Sequence, residues 1–74
     1  MINLELYRIF YIVANCKNIT KASKQLNISQ PAVTKHIKNL EQLLGEPLFV
    51  RTKKGVVLNQ YGEKIYKNVK QAII

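Results

Sequence analysis

Apolar residues recur at helical spacing in four stretches of the chain, and only once does the pattern change to short β-rich runs. Leu6, Ile9, Phe10 and Val13 fall on one side of a first helix that Asn3 can cap and that is expected to run to about Ala14, with a break from Asn15 to Asn18. Tyr7 and Tyr11 add packing bulk with a wet hydroxyl, and Cys16 reads as a small apolar filler in the break. The second helix starts after Asn18 and runs to about Leu26, barely two turns, with Ile19, Ala22 and Leu26 as its apolar face. In the third, Val33, Ile37, Leu40 and Leu44 step by four, three and four residues and line one stripe of a helix about 21 Å long at 1.5 Å per residue. Its ends are marked by Ser29 as N-cap, by Pro31 in the first turn where a missing N–H costs nothing, and by Gly45 past the end with Pro47 beyond. Asn27 tolerates the left-handed backbone that a tight bend needs, and the small Ala22 and Ser23 let the two helices approach closely. The second and third helices together read as a helix-turn-helix.

After Gly45 two runs, Leu48 to Arg51 and Val56 to Leu58, flank Thr52-Lys53-Lys54-Gly55 and predict a hairpin, with Leu48 and Phe49 anchoring it on the core. Asn59 can cap a last helix in which Tyr61, Ile65, Val69, Ala72 and Ile73 form an apolar stripe against Lys64, Lys67 and Lys70. The fold class expected is all-α with a small β-hairpin wing, residues 1–59 forming the body and 60–74 the start of the last helix. That stripe continues to the final residue, so the chain is expected to be cut from something longer. It is also too long for so small a core to cover, and half of it is expected to need a partner.

Charge narrows the function. Twelve Lys and Arg stand against four Asp and Glu, a net charge of +8 in 74 residues. No apolar run approaches the roughly 20 residues a bilayer span requires, so the charge points to a polyanion partner and away from a membrane. A basic surface also serves solubility alone, and the placement of the charges decides between the two. On the third helix Pro31, Thr34, Lys35 and Lys38 occupy the side opposite the apolar stripe, while Glu41 and Glu46 are held back to the far end. Thr20 and Lys21 lie in the first turn of the second helix, where free N–H groups and the helix dipole favour a phosphate. Arg51, Lys53 and Lys54 crowd the hairpin with no acid among them. His36 is the only histidine and Cys16 the only cysteine, so no internal disulfide is possible; without Cys–His or His–carboxylate groupings at ligand spacing metal binding lacks support, and no nucleophile–base pair or Gly-rich phosphate loop is present. Neither an enzyme nor a cofactor is expected. A lone cysteine and a start without a basic segment before an apolar one fit a cytoplasmic protein.

The run SQPAVTKHIKNLEQLLGEPLFVRT closely resembles the signature of LysR-type transcriptional regulators: a Ser-Gln-Pro-Ala-Val opening, a Leu-Glu pair, a Leu-Leu-Gly helix end, a Leu-Phe and an Arg. The match is dense and ungapped, and with the flanking helices it covers nearly the whole chain. Thr34 and Lys35 stand where the family usually has Ser and Arg, and Ser23 replaces the second of a usual Ala pair. Thr keeps the hydroxyl. Lys lacks the planar fork of Arg, so base readout by Lys35 is less secure than phosphate contact.

The resemblance implies a winged helix-turn-helix that binds double-stranded DNA. The third helix would enter the major groove N-terminus first, with Gln30, Pro31, Thr34 and Lys35 at base edges, while Thr20, Lys21, Lys38, Arg51, Lys53 and Lys54 meet phosphates. Gln30 carries most specificity in this reading, because its amide can pair in bidentate fashion with adenine N6 and N7, and Pro31 and the Thr34 methyl can meet a thymine methyl. The resemblance further implies a homodimer on a palindromic operator, formed through Tyr61, Ile65, Val69, Ala72 and Ile73 of the last helix, and a separate C-terminal domain that binds a small-molecule effector. Two other readings stay open on the residues alone: another winged-helix repressor family, and a protein-interaction module that keeps the fold without DNA. Against the second, a protein-docking face would carry exposed aromatic anchors where Thr34, Lys35 and Lys38 stand.

Overall fold

A computed structural model describes residues 3–73, with side chains through residue 72. The element order is α1 (Leu4–Cys16), α2 (Ile19–Leu26), α3 (Gln30–Leu44), β1 (Phe49–Thr52), β2 (Gly55–Leu58) and α4 (Gln60–Ile73). Each of the first three helices starts on a side-chain cap: Asn3 Oδ1 accepts from Leu6 N, Asn18 Oδ1 from Lys21 N and Ser29 Oγ from Ala32 N. Each ends on a left-handed residue, Lys17 (φ 56), Asn27 (φ 59) and Gly45 (φ 83), whose N–H returns to the last turn. Asn27 therefore does what the bend requires.

α1 runs two residues past the expected Ala14, and Cys16 is its last residue instead of part of the break. The reason is Lys17. Its left-handed backbone lets its N–H donate to Val13 O at 2.9 Å, and its carbonyl accepts from Val56 N at 3.1 Å, so the helix end is held by the hairpin. Cys16 is half-buried, with Sγ 3.4 Å from Gln25 Oε1.

The core lies where α1 crosses the other helices. Phe10, Val13, Val33, Leu40 and Leu48 are fully buried, Ile9, Leu6 and Ile37 nearly so, and α1 packs against α2, α3 and α4. Such side chains each contribute about 1.5–3 kcal/mol on burial. Leu44, last of the α3 stripe, is half-buried.

The hairpin pairs antiparallel in the register Phe49↔Leu58, Val50↔Val57, Arg51↔Val56 and Thr52↔Gly55. It is shifted by one residue from the expected start, because both backbone groups of Leu48 are engaged elsewhere. Leu48 N donates to Glu41 Oε2 at 2.7 Å, and Leu48 O accepts from Asn59 N at 2.9 Å. Thr52 and Gly55 in turn belong to the strands, which leaves only Lys53 and Lys54 as the tip. Phe49 anchors the root of the wing, its ring 5.6 Å from that of Phe10 at 57°. Asn59 caps α4 as expected, its Oδ1 accepting from Gly62 N at 2.7 Å.

Candidate nucleic-acid interface

Gln30, Pro31, Thr34, Lys35 and Lys38 line one shallow groove on α3, and Arg51 of β1 closes its side. Helix and wing therefore form a single surface. Thr34, Lys38 and Arg51 also border the cleft between α3 and the wing, together with Glu41. The groove is lined by no acidic side chain. All of these residues are exposed except Thr34, which is half-buried.

Local structure explains why the polar atoms stay free. Pro31 occupies the first turn, and the Ser29 cap takes the N–H of Ala32, so the α3 entrance is ordered without using the Gln30 amide. Glu41, which lines the neighbouring cleft with Lys38 and Arg51, has a carboxylate oxygen engaged by Leu48 N. Among the described residues the only ion pair is Arg8–Glu5 at 3.6 Å, on the exposed face of α1, where such a pair contributes little. Lys21, Lys35, Lys38, Arg51, Lys53 and Lys54 thus have no carboxylate partner among the described residues.

The other predicted positions lie outside this groove. Thr20 and Lys21 are exposed on the first turn of α2, adjoining Ile19 at the groove edge, and Lys53 and Lys54 are exposed at the wing tip. Tyr61 and Ile65 of the last helix are half-buried, Val69 is buried on the chain's own core and Ala72 is exposed. Ile73 ends α4, and its side chain lies outside the described residues. Asn39 and Gln42 also line the groove and were not singled out from the sequence. Their positions four residues beyond Lys35 and Lys38 were the available signal. Three structural contributions were missed as well: the Lys17 carbonyl, which holds Val56, the Glu41 carboxylate, which holds Leu48, and the Gln25 side chain against Cys16.

Near the wing's root the backbone approaches are close. A Cβ on Gly55 would stand 2.2 Å from Lys17 O, and one on Gly62 would stand 2.2 Å from Leu48 O. Only glycine lets the wing rest against the α1–α2 junction and α4 against the wing.

A helix-turn-helix flanked by a two-stranded wing, with a basic groove joining them, defines a winged helix-turn-helix DNA-binding domain. The family described as "Bacterial regulatory helix-turn-helix protein, lysR family" matches residues 4–63, and the chain belongs to that family as its DNA-binding domain. The family is one of regulators, not enzymes. A relative, the HTH-type transcriptional regulator BudR of Klebsiella aerogenes, is 43% identical over 65 residues, which are 88% of this chain and 46% of that one. The chain spans less than half the length of the curated relatives it matches. Among solved structures, the CbnR_DBD–DNA complex superposes with a TM-score of 0.90 at 28% identity, covering 97% of this chain and 83% of that one. The BenM_DBD/catB site 1 DNA complex gives 0.91 at 30% identity, covering 97% and 81%. No helix among the described residues is long and apolar enough to cross a membrane.

Proposed function

We propose that the chain reads a palindromic operator as a homodimer, as the DNA-binding domain of a longer cytoplasmic regulator whose remaining part binds a small-molecule effector. The carrying observation is the acid-free groove that joins the first half of α3 to Arg51. Gln30 pairs with an adenine edge, Pro31 and the Thr34 methyl meet a thymine methyl, and Lys35 reaches either a base edge or the adjoining phosphate. Lys38 and Arg51 grip phosphates on the two sides of the groove, with Thr20 and Lys21 at the start of α2 and Lys53 and Lys54 at the wing tip as the outer contacts.

The body is residues 1–59, and α4 is the dimer helix. Support for the dimer is an apolar groove between α1 and α4, in which Leu4, 74% exposed, faces solvent and Tyr7, Ile12, Val69 and Ala72 form the walls. Two copies joined there by their last helices present two recognition helices about 34 Å apart, one turn of DNA. The protein-interaction reading fares worse, because no aromatic side chain lines the α3 groove.

Selection of bound sequences from a random duplex pool tests this function. Recovery of an inverted repeat with half-sites one helical turn apart is the expected result. A pool that stays random after several rounds would overturn sequence-specific binding.

A further inference from the structure

α4 packs on the core through Tyr61, Ile65 and Val69 and is tied to the body by polar contacts at two places. Its start is fixed to the wing's root by Asn59, whose Nδ2 donates to Pro47 O at 2.9 Å and whose Oδ1 accepts from Gly62 N, and by the close passage of Gly62 over Leu48 O. The second fastening is Tyr66. Its hydroxyl donates to Asn15 Oδ1 at 2.5 Å, and its ring lies on that of Tyr11 at 5.3 Å and 10°. Among the described residues this is the only side-chain hydrogen bond that ties α4 to α1. Val69, one turn further on, is buried on the core, a contact without the direction of a hydrogen bond.

We propose that Tyr66, through Asn15 and Tyr11, is a positioning residue that sets the half-site spacing the protein accepts, although it lies on α4 and not in the groove that receives DNA. The inference rests on the dimer reading above. α1 packs against both helices of the helix-turn-helix, so the angle between α1 and α4 fixes where a copy joined through α4 places its own α3. Gly62 acts as the pivot, and Tyr66 lies about 6 Å along the helix from it at 1.5 Å per residue. A slack of about 1 Å at Tyr66 then turns α4 by about 10° and moves its end, about 16 Å from the pivot, by nearly 3 Å. Two copies double the displacement to about 5–6 Å, against 3.4 Å per base-pair step. Loosening this contact is therefore enough to blur spacing by one to two base pairs.

The test uses Tyr66→Phe, Asn15→Ala and the double variant, titrated onto duplexes whose half-sites are separated by the optimum and by one or two base pairs on either side. A duplex with one half-site and a far-ultraviolet spectrum serve as controls for folding and groove integrity. The wild type should discriminate the optimum from its neighbours by about tenfold or more, in line with the cost of deforming the complex. Each single variant should reduce that ratio by at least about threefold with single-half-site binding unchanged, and the double variant should add nothing, because both changes remove one bond. A wild-type optimum retained by every variant would overturn this inference alone. Absence of any spacing optimum in the wild type would overturn it together with the dimer reading.

Discussion

Replacing Gly55 by alanine places a methyl group 2.2 Å from the Lys17 carbonyl oxygen, on a backbone whose φ of +146° an L side chain rarely adopts. Neither neighbour can yield cheaply. Lys17 is itself the left-handed end of α1, and its carbonyl is the acceptor for Val56 N at 3.1 Å. Backbone strain of this kind costs about 1–3 kcal/mol, and losing the hydrogen bond about 1 kcal/mol more. The sum, roughly 2–4 kcal/mol, is a large share of the about 4–11 kcal/mol expected for a domain of this size. At about 4–8 °C per kcal/mol the melting temperature should fall by roughly 8–30 °C. Gly45→Ala is the control, since Gly45 also has positive φ (+83°) but a Cβ there meets nothing within 4 Å. It should cost only the about 1–2 kcal/mol of left-handed strain. The difference between circular-dichroism melts of the two variants carries the contact with Lys17 together with the rarer φ of Gly55. If Gly55→Ala melts no lower than Gly45→Ala, the wing is not held by that contact.

Glu41→Ala should destabilise by about 1.5–3 kcal/mol in urea titration, because it deprives Leu48 N of a charged acceptor, whereas Glu41→Gln, which still accepts, should cost less. Leu4→Asp with Ala72→Asp changes exposed positions of the α1–α4 groove, so it should leave single-half-site binding and melting nearly unchanged while abolishing cooperative loading of two copies on a palindrome. Equal cooperativity in the variant would remove that groove from the dimer. Burial raises the Tyr66 phenol above its ordinary value of 10.0, with Tyr11 adding to the rise. A raised folded-state value means that the neutral phenol stabilises the fold below pH 10, and that this contribution is lost as pH climbs through the folded value. Stability against pH, measured for the wild type and Tyr66→Phe, should show a steeper alkaline fall in the wild type. Parallel curves would mean that the Tyr66 hydroxyl carries no such linkage.

Much of the fold is legible because its boundaries are chemical. Asn3, Asn18, Ser29 and Asn59 are capping residues at four helix starts, and Asn27 and Gly45 are the residues that a left-handed helix end favours. The groove is legible for a related reason: Pro31, Lys35 and Lys38 repeat at helical spacing opposite Val33, Ile37 and Leu40, so one periodicity gives both faces. What stays hidden depends on contacts between distant positions. Lysine has no preference for positive φ, and only the docked wing explains why α1 stops at Lys17. The one-residue shift of β1 follows from Glu41 engaging the N–H of Leu48 and Asn59 its carbonyl, which no local pattern reveals. Likewise the α4 stripe tells which side is apolar, but not that the core reaches as far as Val69 and leaves Ala72 outside.

Variants of Gln30 and Arg51 should fail in different ways, and titration of operator and random duplexes across a range of salt measures this directly. With about four phosphates neutralised per monomer, log K for the wild type should fall with log salt at a slope near −3.6 per half-site. Gln30→Ala should keep that slope and lose about 1–3 kcal/mol on the operator alone, relaxing preference at one base pair. Arg51→Ala should weaken operator and random duplex alike and make the slope shallower by about 0.9. A wild-type affinity indifferent to salt, or equal losses on both duplexes from both variants, would contradict the assignment of α3 to bases and the wing to the backbone.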